Sequence, residues 1–260
     1  MGESSKVQKP ITETFVIGDV HGCVAELTEL LALICEKAKA PKIEVILLGD
    51  SIDKGPDSAG VLDLVFMSSF PNLTIRSILG NHCEKFLRWC FAQQREEAGG
   101  AKNEIKNKWG FEKIREYQDF LVQCPLWISL PEYGVTLLHG GVETWMKELP
   151  SAKLSEASKY EKNILRIRYL SSTGKMIRLG EEDLEKGDRW WADVYDGRFG
   201  TIIYGHQPYD KVAYHEHAIG LDTSCVHGGE LTALHLSVDG KHQILSVKAR
   251  EKYCKAYDEE

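Results

Sequence analysis

The chain has 260 residues, 43% of them hydrophobic and 27% charged, a balance ordinary for a soluble globular protein of one large domain or two small ones. Its formal charge of -7 argues against a broad basic surface that tracks nucleic acid, and no apolar run approaches the ~20 residues of a membrane span. Seven cysteines without regular spacing make no disulfide framework, and the polar start MGESSKVQKP lacks the apolar core of a secretory signal, so a reducing, cytoplasmic setting is expected.

In chain order, residues 1–12 read as a flexible lead-in, 13–250 as a single domain and 251–260 as a flexible acidic tail. Phe15 to Ile17 form a strand, and Val24 to Lys39 a helix with apolar residues at Leu27, Leu30, Leu31 and Ile34, stopped by Pro41. A strand over Ile43–Leu48, a helix over Ser58–Met67 and a strand over Leu73–Leu79 complete a βαβαβ rhythm. That rhythm predicts a parallel core with ligands bound outside the C-terminal ends of its strands. Glu84–Cys124 is mostly helical in periodicity, with a polar, Gly-rich interruption over Ala98–Lys108. The sheet resumes at Leu137, and Ser151–Asp196 reads as a charged, helical lobe beside the site. Thr201–Lys248 alternates short apolar strands with Gly, Asp and His turns, which predicts a second, mainly antiparallel sheet.

Five hydrophobic runs end in metal- or phosphate-binding residue types: FVIGDVHG, VILLGDSIDKGP, IRSILGNHC, VTLLHGG and TIIYGHQP. Asp19 and His21 stand two apart, so that a continued strand period would turn both to one side and let them grip one ion. Asp50 follows four apolar residues, and its two oxygens suit it to bridge two ions. Asn81 offers a neutral oxygen that limits the negative charge of such a site. His82 reads as a ligand or as a free acid, and Asp53 is placed to hydrogen-bond one of its ring nitrogens and raise its pKa. His139 and His206 each follow four apolar strand residues. Taken singly, either is more often a satisfied structural histidine; taken with the other loops they read as ligands. Lys54 reads as a phosphate-binding cation or as a solvated surface charge.

In this order and spacing, GDVHG, GDSIDKGP, GNHC, HGG and YGHQ resemble the phosphoprotein-phosphatase branch of the calcineurin-like metallophosphoesterases, over Phe15 to Leu234. Lys54 in DKGP, where Ser/Thr protein phosphatases have Arg, and LDTSCVHGGELTAL (Leu221 to Leu234) resemble the ApaH-like phosphatases and bacterial diadenosine tetraphosphatases. Cys83 and Glu143 depart from the protein-phosphatase pattern. The resemblance implies an α/β metallophosphoesterase fold: a βαβ core, two packed mixed sheets flanked by helices, and helical insertions. It implies two divalent metal ions, manganese foremost with Fe, Co and Zn compatible. Asp19, His21 and Asp50 would hold the first; Asp50, Asn81, His139 and His206 would hold the second. Asp53 and His82 would form the acid pair, Lys54 would bind phosphate, and a further arginine would come from ILRIRYL, as Arg168 or Arg166.

The implied reaction is hydrolysis of a phosphoanhydride in a nucleotide polyphosphate, diadenosine tetraphosphate to ADP in the first instance, with capped RNA and inorganic polyphosphate as related substrates and a Ser/Thr phosphoprotein as the alternative. A nucleoside asks for an aromatic platform. Trp109, Phe111, Trp190, Trp191 and Tyr195 read as that platform or, by the blander account, as helix packing.

Overall fold

The computed structural model describes residues 12–67, 70–95 and 103–254. Thr12–Ile17 (β1), Lys42–Leu47 (β2) and Leu73–Ser77 (β3) pair in parallel, with Ile17, Leu47 and Ser77 level at their C-terminal ends. The crossovers between them are the helices Val24–Lys37 (α1) and Ser58–Met67 (α2). Helix α1 ends two residues short of the expected Lys39, with Ala38 already extended and the amides of Lys39 and Ala40 both donating to Glu13 Oε1 at 3.0 Å. Next come Asn81–Arg95 (α3), Asn103–Gln123 (α4, broken at Gly110), Trp127–Leu130 (β4) and Val135–Leu138 (β5).

Three two-residue strands, Tyr169–Leu170 (β6), Met176–Ile177 (β7) and Arg189–Trp190 (β8), form a small separate sheet. A short helix, Trp191–Val194 (α5), leads into Thr201–Tyr204 (β9), Ala213–Tyr214 (β10) and Ala218–Gly220 (β11). The described chain closes with Glu230–His235 (β12) and Gln243–Lys248 (β13). The two larger sheets run β13-β12-β1-β2-β3 and β10-β11-β9-β5-β4.

Period-two alternation along the strands sorts the side chains into three layers. Phe15, Ile17, Val45 and Leu47 face Leu27, Leu30 and Ile34 of α1. Val16, Ile46 and Leu48 face the other way and meet Val135, Leu137 and Ile203 of the second sheet. The outer face of that sheet, with Leu138, Ile202 and Tyr204, packs under α3, α4 and Trp191. The fold is thus a mixed α/β architecture of two packed mixed sheets flanked by helices, as expected.

Two expectations are corrected. Ser151–Asp196 is not a helical lobe: it holds two short 3-10 turns, the β6–β8 sheet and the one turn of α5. Gly174, Gly180 and Gly187 take φ of 77°, 84° and 97°, which breaks the second half of this stretch into short turns that no helix can run through. Nor do the strands of Thr201–Lys248 form one antiparallel sheet. The β12–β13 hairpin joins the first sheet, antiparallel to β1, while β9 pairs in parallel with both β5 and β11. Alternating hydrophobicity marks a strand but does not name its partner, which long-range packing chooses.

Glu26 ties the end of the described chain to this core. Fully buried on α1, its Oε1 accepts from the Arg250 amide at 2.9 Å and the Tyr253 hydroxyl at 2.7 Å. Glu26→Ala strands both donors, and a loss of about 1–3 kcal/mol is expected, read as a lower urea midpoint. An unchanged midpoint would show that the 249–254 segment adds nothing to stability.

Candidate active site

Both sheets carry a parallel triplet, β1-β2-β3 and β5-β9-β11, and their C-terminal ends share one edge of the molecule. Asp19 and His21 follow β1, Asp50 follows β2, Asn81 and His82 open α3 after β3, His139 follows β5 and His206 follows β9. The loops are bent to bring these side chains inward. Among the described residues, six non-glycine residues have φ between 39° and 72°: His21, Asp50, Asp53, Lys54, His206 and Ser224. Five of the six are residues singled out from the sequence, and such conformations are kept where the surrounding structure enforces a particular side-chain direction. His21 (φ 46°) therefore reaches Asp19 by a reversal and not by a continued strand period.

Two triads of donor atoms result, His21–Asp50–His82 and Asp50–His139–His206, with the atoms of each within 4.8 Å of one another. Asp50 belongs to both. Its Oδ2 lies 3.9 Å from His21 Nε2 and 3.2 Å from His139 Nε2, while its Oδ1 accepts the His82 amide at 2.9 Å at the N-terminus of α3. Asp19 joins the first triad, with Oδ2 3.8 Å from His21 Nε2, and accepts the backbone amide of His206 at 3.1 Å. Asn81 joins the second, with Oδ1 2.8 Å from His139 Nε2. The six residues expected as ligands are thus brought together.

The donor set suits metal cations. His21 Nδ1 donates to the Ile52 carbonyl at 3.0 Å and His139 Nδ1 to the Leu48 carbonyl at 2.8 Å. Carbonyls only accept, so both protons sit on Nδ1 and both Nε2 lone pairs face the centre, the usual arrangement of a ligating histidine. Around His139 Nε2, the oxygens of Asn81 and Asp50 stand at 2.8 and 3.2 Å, an arrangement that a shared metal cation would satisfy.

Titration behaviour agrees. Burial lowers the His21 imidazole to about 3. Burial, with the Arg168 guanidinium and His139 beside it, holds His206 well below its usual range. Burial and the neighbouring Asp222 and Asp50 carboxylates push Asp19 well up. Against burial, the imidazoles of His139, His82 and His21 keep Asp50 low. With His21 and His206 disfavoured as cations and the Asp19, Asp50 and Asp222 carboxylates crowded beside them, the centre suits added positive charge.

On the open side, His82 Nδ1 lies 2.9 Å from Asp53 Oδ2, and that hydrogen bond holds the half-exposed Asp53 carboxyl below its ordinary range. The rim is basic. Arg168 donates to the His206 carbonyl at 3.2 Å, and Arg166 is drawn to Glu84 at 2.6 Å. Both line a cavity of about 330 Å³ whose wall includes Asn81, His82 and His206. Lys54 stands near Asp19 and Asp222, and its charge favours ionisation of both.

Sequence reasoning missed Asp222 and Glu84. Asp222, buried after β11, lies in the quoted LDTSC run, and its place after a parallel strand was the available signal. Glu84, buried in the first turn of α3, holds Arg166 and Arg88; nothing short of the fold reveals those partners. Of the aromatic candidates, Trp191 and Tyr195 are buried in the core and Trp190 packs against Tyr169, so they serve packing. The side chains of Trp109 and Phe111 lie outside the described residues.

Gly80 and Gly205 pack so tightly that an added Cβ would collide with Asp50 Oδ1 and Asp19 Oδ1 respectively. Gly80→Ala should therefore displace Asp50 and slow turnover about a hundredfold, with some loss of thermal stability as well, because the added Cβ also meets the Asp50 backbone nitrogen. Unchanged turnover would show that the Asp50 position tolerates displacement.

Comparison with known proteins agrees with this geometry. Residues 13–239 match the calcineurin-like phosphoesterase family. Two curated relatives are named asymmetrical bis(5'-nucleosyl)-tetraphosphatase PrpE. The protein of Oceanobacillus iheyensis is 29% identical, over 92% of this chain and 93% of its own. That of Halalkalibacterium halodurans is 28% identical, over 90% of this chain and 97% of its own. Among solved structures, one provisionally assigned as a diadenosine tetraphosphatase superposes with a TM-score of 0.64 at 24% identity, covering 94% of this chain and 96% of its own. A Saccharomyces cerevisiae serine/threonine phosphatase superposes at 0.57 with 15% identity, over 94% of this chain and 82% of its own. At these identities the two structures speak for the fold.

Proposed function

The chain belongs to the calcineurin-like phosphoesterase family, and from its site we propose that it is a two-metal phosphohydrolase that cleaves dinucleoside polyphosphates asymmetrically, diadenosine tetraphosphate to AMP and ATP. The observation that carries the reading is Asp50, one carboxylate common to two triads of donors. Asp19, His21 and Asp50 would hold one divalent ion and Asp50, Asn81, His139 and His206 the other, a mixed N and O donor set that accepts Mn, Fe, Co or Zn. When bound, such a pair supplies Lewis acidity and lowers the pKa of water toward neutrality. The motifs alone point to two ADP as products. The designation of the full-length relatives favours AMP and ATP instead.

The protein's own groups divide the remaining work. Lys54, Arg168 and Arg166 offset charge on the phosphoryl oxygens as it develops. Asp53, on Nδ1, keeps His82 oriented, so that Nε2 can deliver a proton to the departing oxygen. Among the described residues no helix is long and apolar enough to cross a membrane. A product-resolved panel with added manganese tests the reading: diadenosine tetraphosphate, capped RNA, inorganic polyphosphate and a phosphopeptide. Fastest release of AMP and ATP from the first is expected. A phosphopeptide turned over faster than every anhydride would replace the reading with a protein phosphatase.

A further inference from the structure

The cavity that contains His82 has an uneven wall. Lys85, Arg88, Arg166, Arg168 and Arg178 line it, and no carboxylate does. A second cavity of about 430 Å³ shares Arg88 and Arg166 with it and continues the trough past Lys159, Lys162 and Asn163. The one carboxylate there, Glu84, is engaged by Arg88 at 3.0 Å and Arg166 at 2.6 Å. Lys159 and Lys162 have no carboxylate partner among the described residues, because the intervening Glu161 turns onto the Ser158 amide at 2.6 Å. In a chain whose net charge is -7, a path lined by seven cations and one neutralised carboxylate is a local inversion of sign. Such an inversion selects a polyanion.

The trough starts at His82, and with His82 as the proposed general acid it lies on the leaving-group side of the attacked phosphorus. We infer that this trough holds the leaving polyphosphate chain, with Lys159 and Lys162 securing its far phosphates, so that water attacks the terminal nucleoside's α-phosphorus and the longer phosphate chain departs. The inference rests on the reading of the protein as a dinucleoside polyphosphate hydrolase. In the step, a water oxygen bonds to Pα while the Pα–O bond to the bridging oxygen breaks. The bridging oxygen leaves on Pβ with the electron pair, and His82 protonates it. Diadenosine tetraphosphate and water thus give AMP, which carries the new oxygen, and ATP, which carries the old bridge. Cations spread along the trough stabilise a triphosphate leaving group more than a monophosphate one, and this selects the direction of cleavage.

Hydrolysis in H₂¹⁸O with mass analysis of both nucleotides reads this directly. Label in AMP and none in ATP is expected. Label in ATP would overturn the inference while leaving the proposed activity intact. ADP as the only product would overturn the inference and the asymmetric direction together, and no hydrolysis of the dinucleotide would remove the proposed function itself. A second arm uses the surface double variant Lys159→Ala/Lys162→Ala. The ratio of kcat/KM for diadenosine tetraphosphate over diadenosine triphosphate should fall about tenfold, because the shorter substrate leaves a chain one phosphate short. Calorimetric binding of inorganic tripolyphosphate should weaken by a similar factor, about tenfold, if the trough reads the phosphate chain alone. Unchanged tripolyphosphate binding would overturn the assignment of the two lysines to the phosphate chain. An unchanged ratio would overturn their role.

Discussion

Asp50→Asn is expected to lower kcat/KM by at least about a thousandfold, roughly 4 kcal/mol of transition-state stabilisation. The substitution keeps the shape of the side chain and an oxygen able to accept the His82 amide, which Asp50 Oδ1 now takes at 2.9 Å. It removes the charge that Oδ2 presents to His21 at 3.9 Å and His139 at 3.2 Å. Because both triads need that oxygen, the variant should lose metal at both positions together, and stoichiometry by elemental analysis should fall toward zero with the circular dichroism spectrum intact. Loss of one ion alone would make Asp50 a ligand to a single metal. A rate within tenfold of the parent would remove it from the centre.

His82→Asn should have the next largest effect, and the size should depend on what leaves. With a poor leaving group such as an alkyl alcohol, loss of the general acid should cost about 10²–10⁴ in kcat. A leaving polyphosphate is a weak base and asks for little protonation, so diadenosine tetraphosphate should lose about tenfold or less. Asp53→Asn, which removes the 2.9 Å carboxylate contact to Nδ1, should show the same dependence on leaving group in weaker form, since His82 is then no longer held in one orientation. Equal loss on an alkyl phosphate, p-nitrophenyl phosphate and the dinucleotide would contradict the acid role and favour His82 as a structural or ligating group.

The chemistry of this protein was legible before its shape because the informative residues are local. Asp19, Asp50, Asn81, His139 and His206 each sit within four residues of a strand end, and a hydrophobic run followed by a polar donor can be read without knowing which strands pair. The parallel β1-β2-β3 core followed from the same signal. Its limits appear where structure depends on distant partners. The β12–β13 hairpin alternates just as a strand of the second sheet would, yet lies on the first. The Ser151–Asp196 stretch is rich in charged residues and its second half is broken by glycines at positive φ, while Ile164, Leu165 and Ile167 enter the core from a 3-10 turn and the residues just after it, not from a helical stripe. Arg168 and Arg166 could be named from ILRIRYL but not told apart. The fold gives them different anchors, the His206 carbonyl for one and Glu84 for the other, and sets both on the cavity wall. Glu84, Arg88, Lys159 and Lys162 could not be assembled at all, since the trough they form joins the first turn of α3 to a loop some eighty residues later.

Anomalous diffraction from crystals grown with manganese tests the two-metal centre most directly. Two peaks roughly 3.5–4 Å apart are expected, with the Asp50 carboxylate between them, Asp19 and His21 on one, and Asn81, His139 and His206 on the other. A single peak, or none within reach of these side chains, would contradict the account.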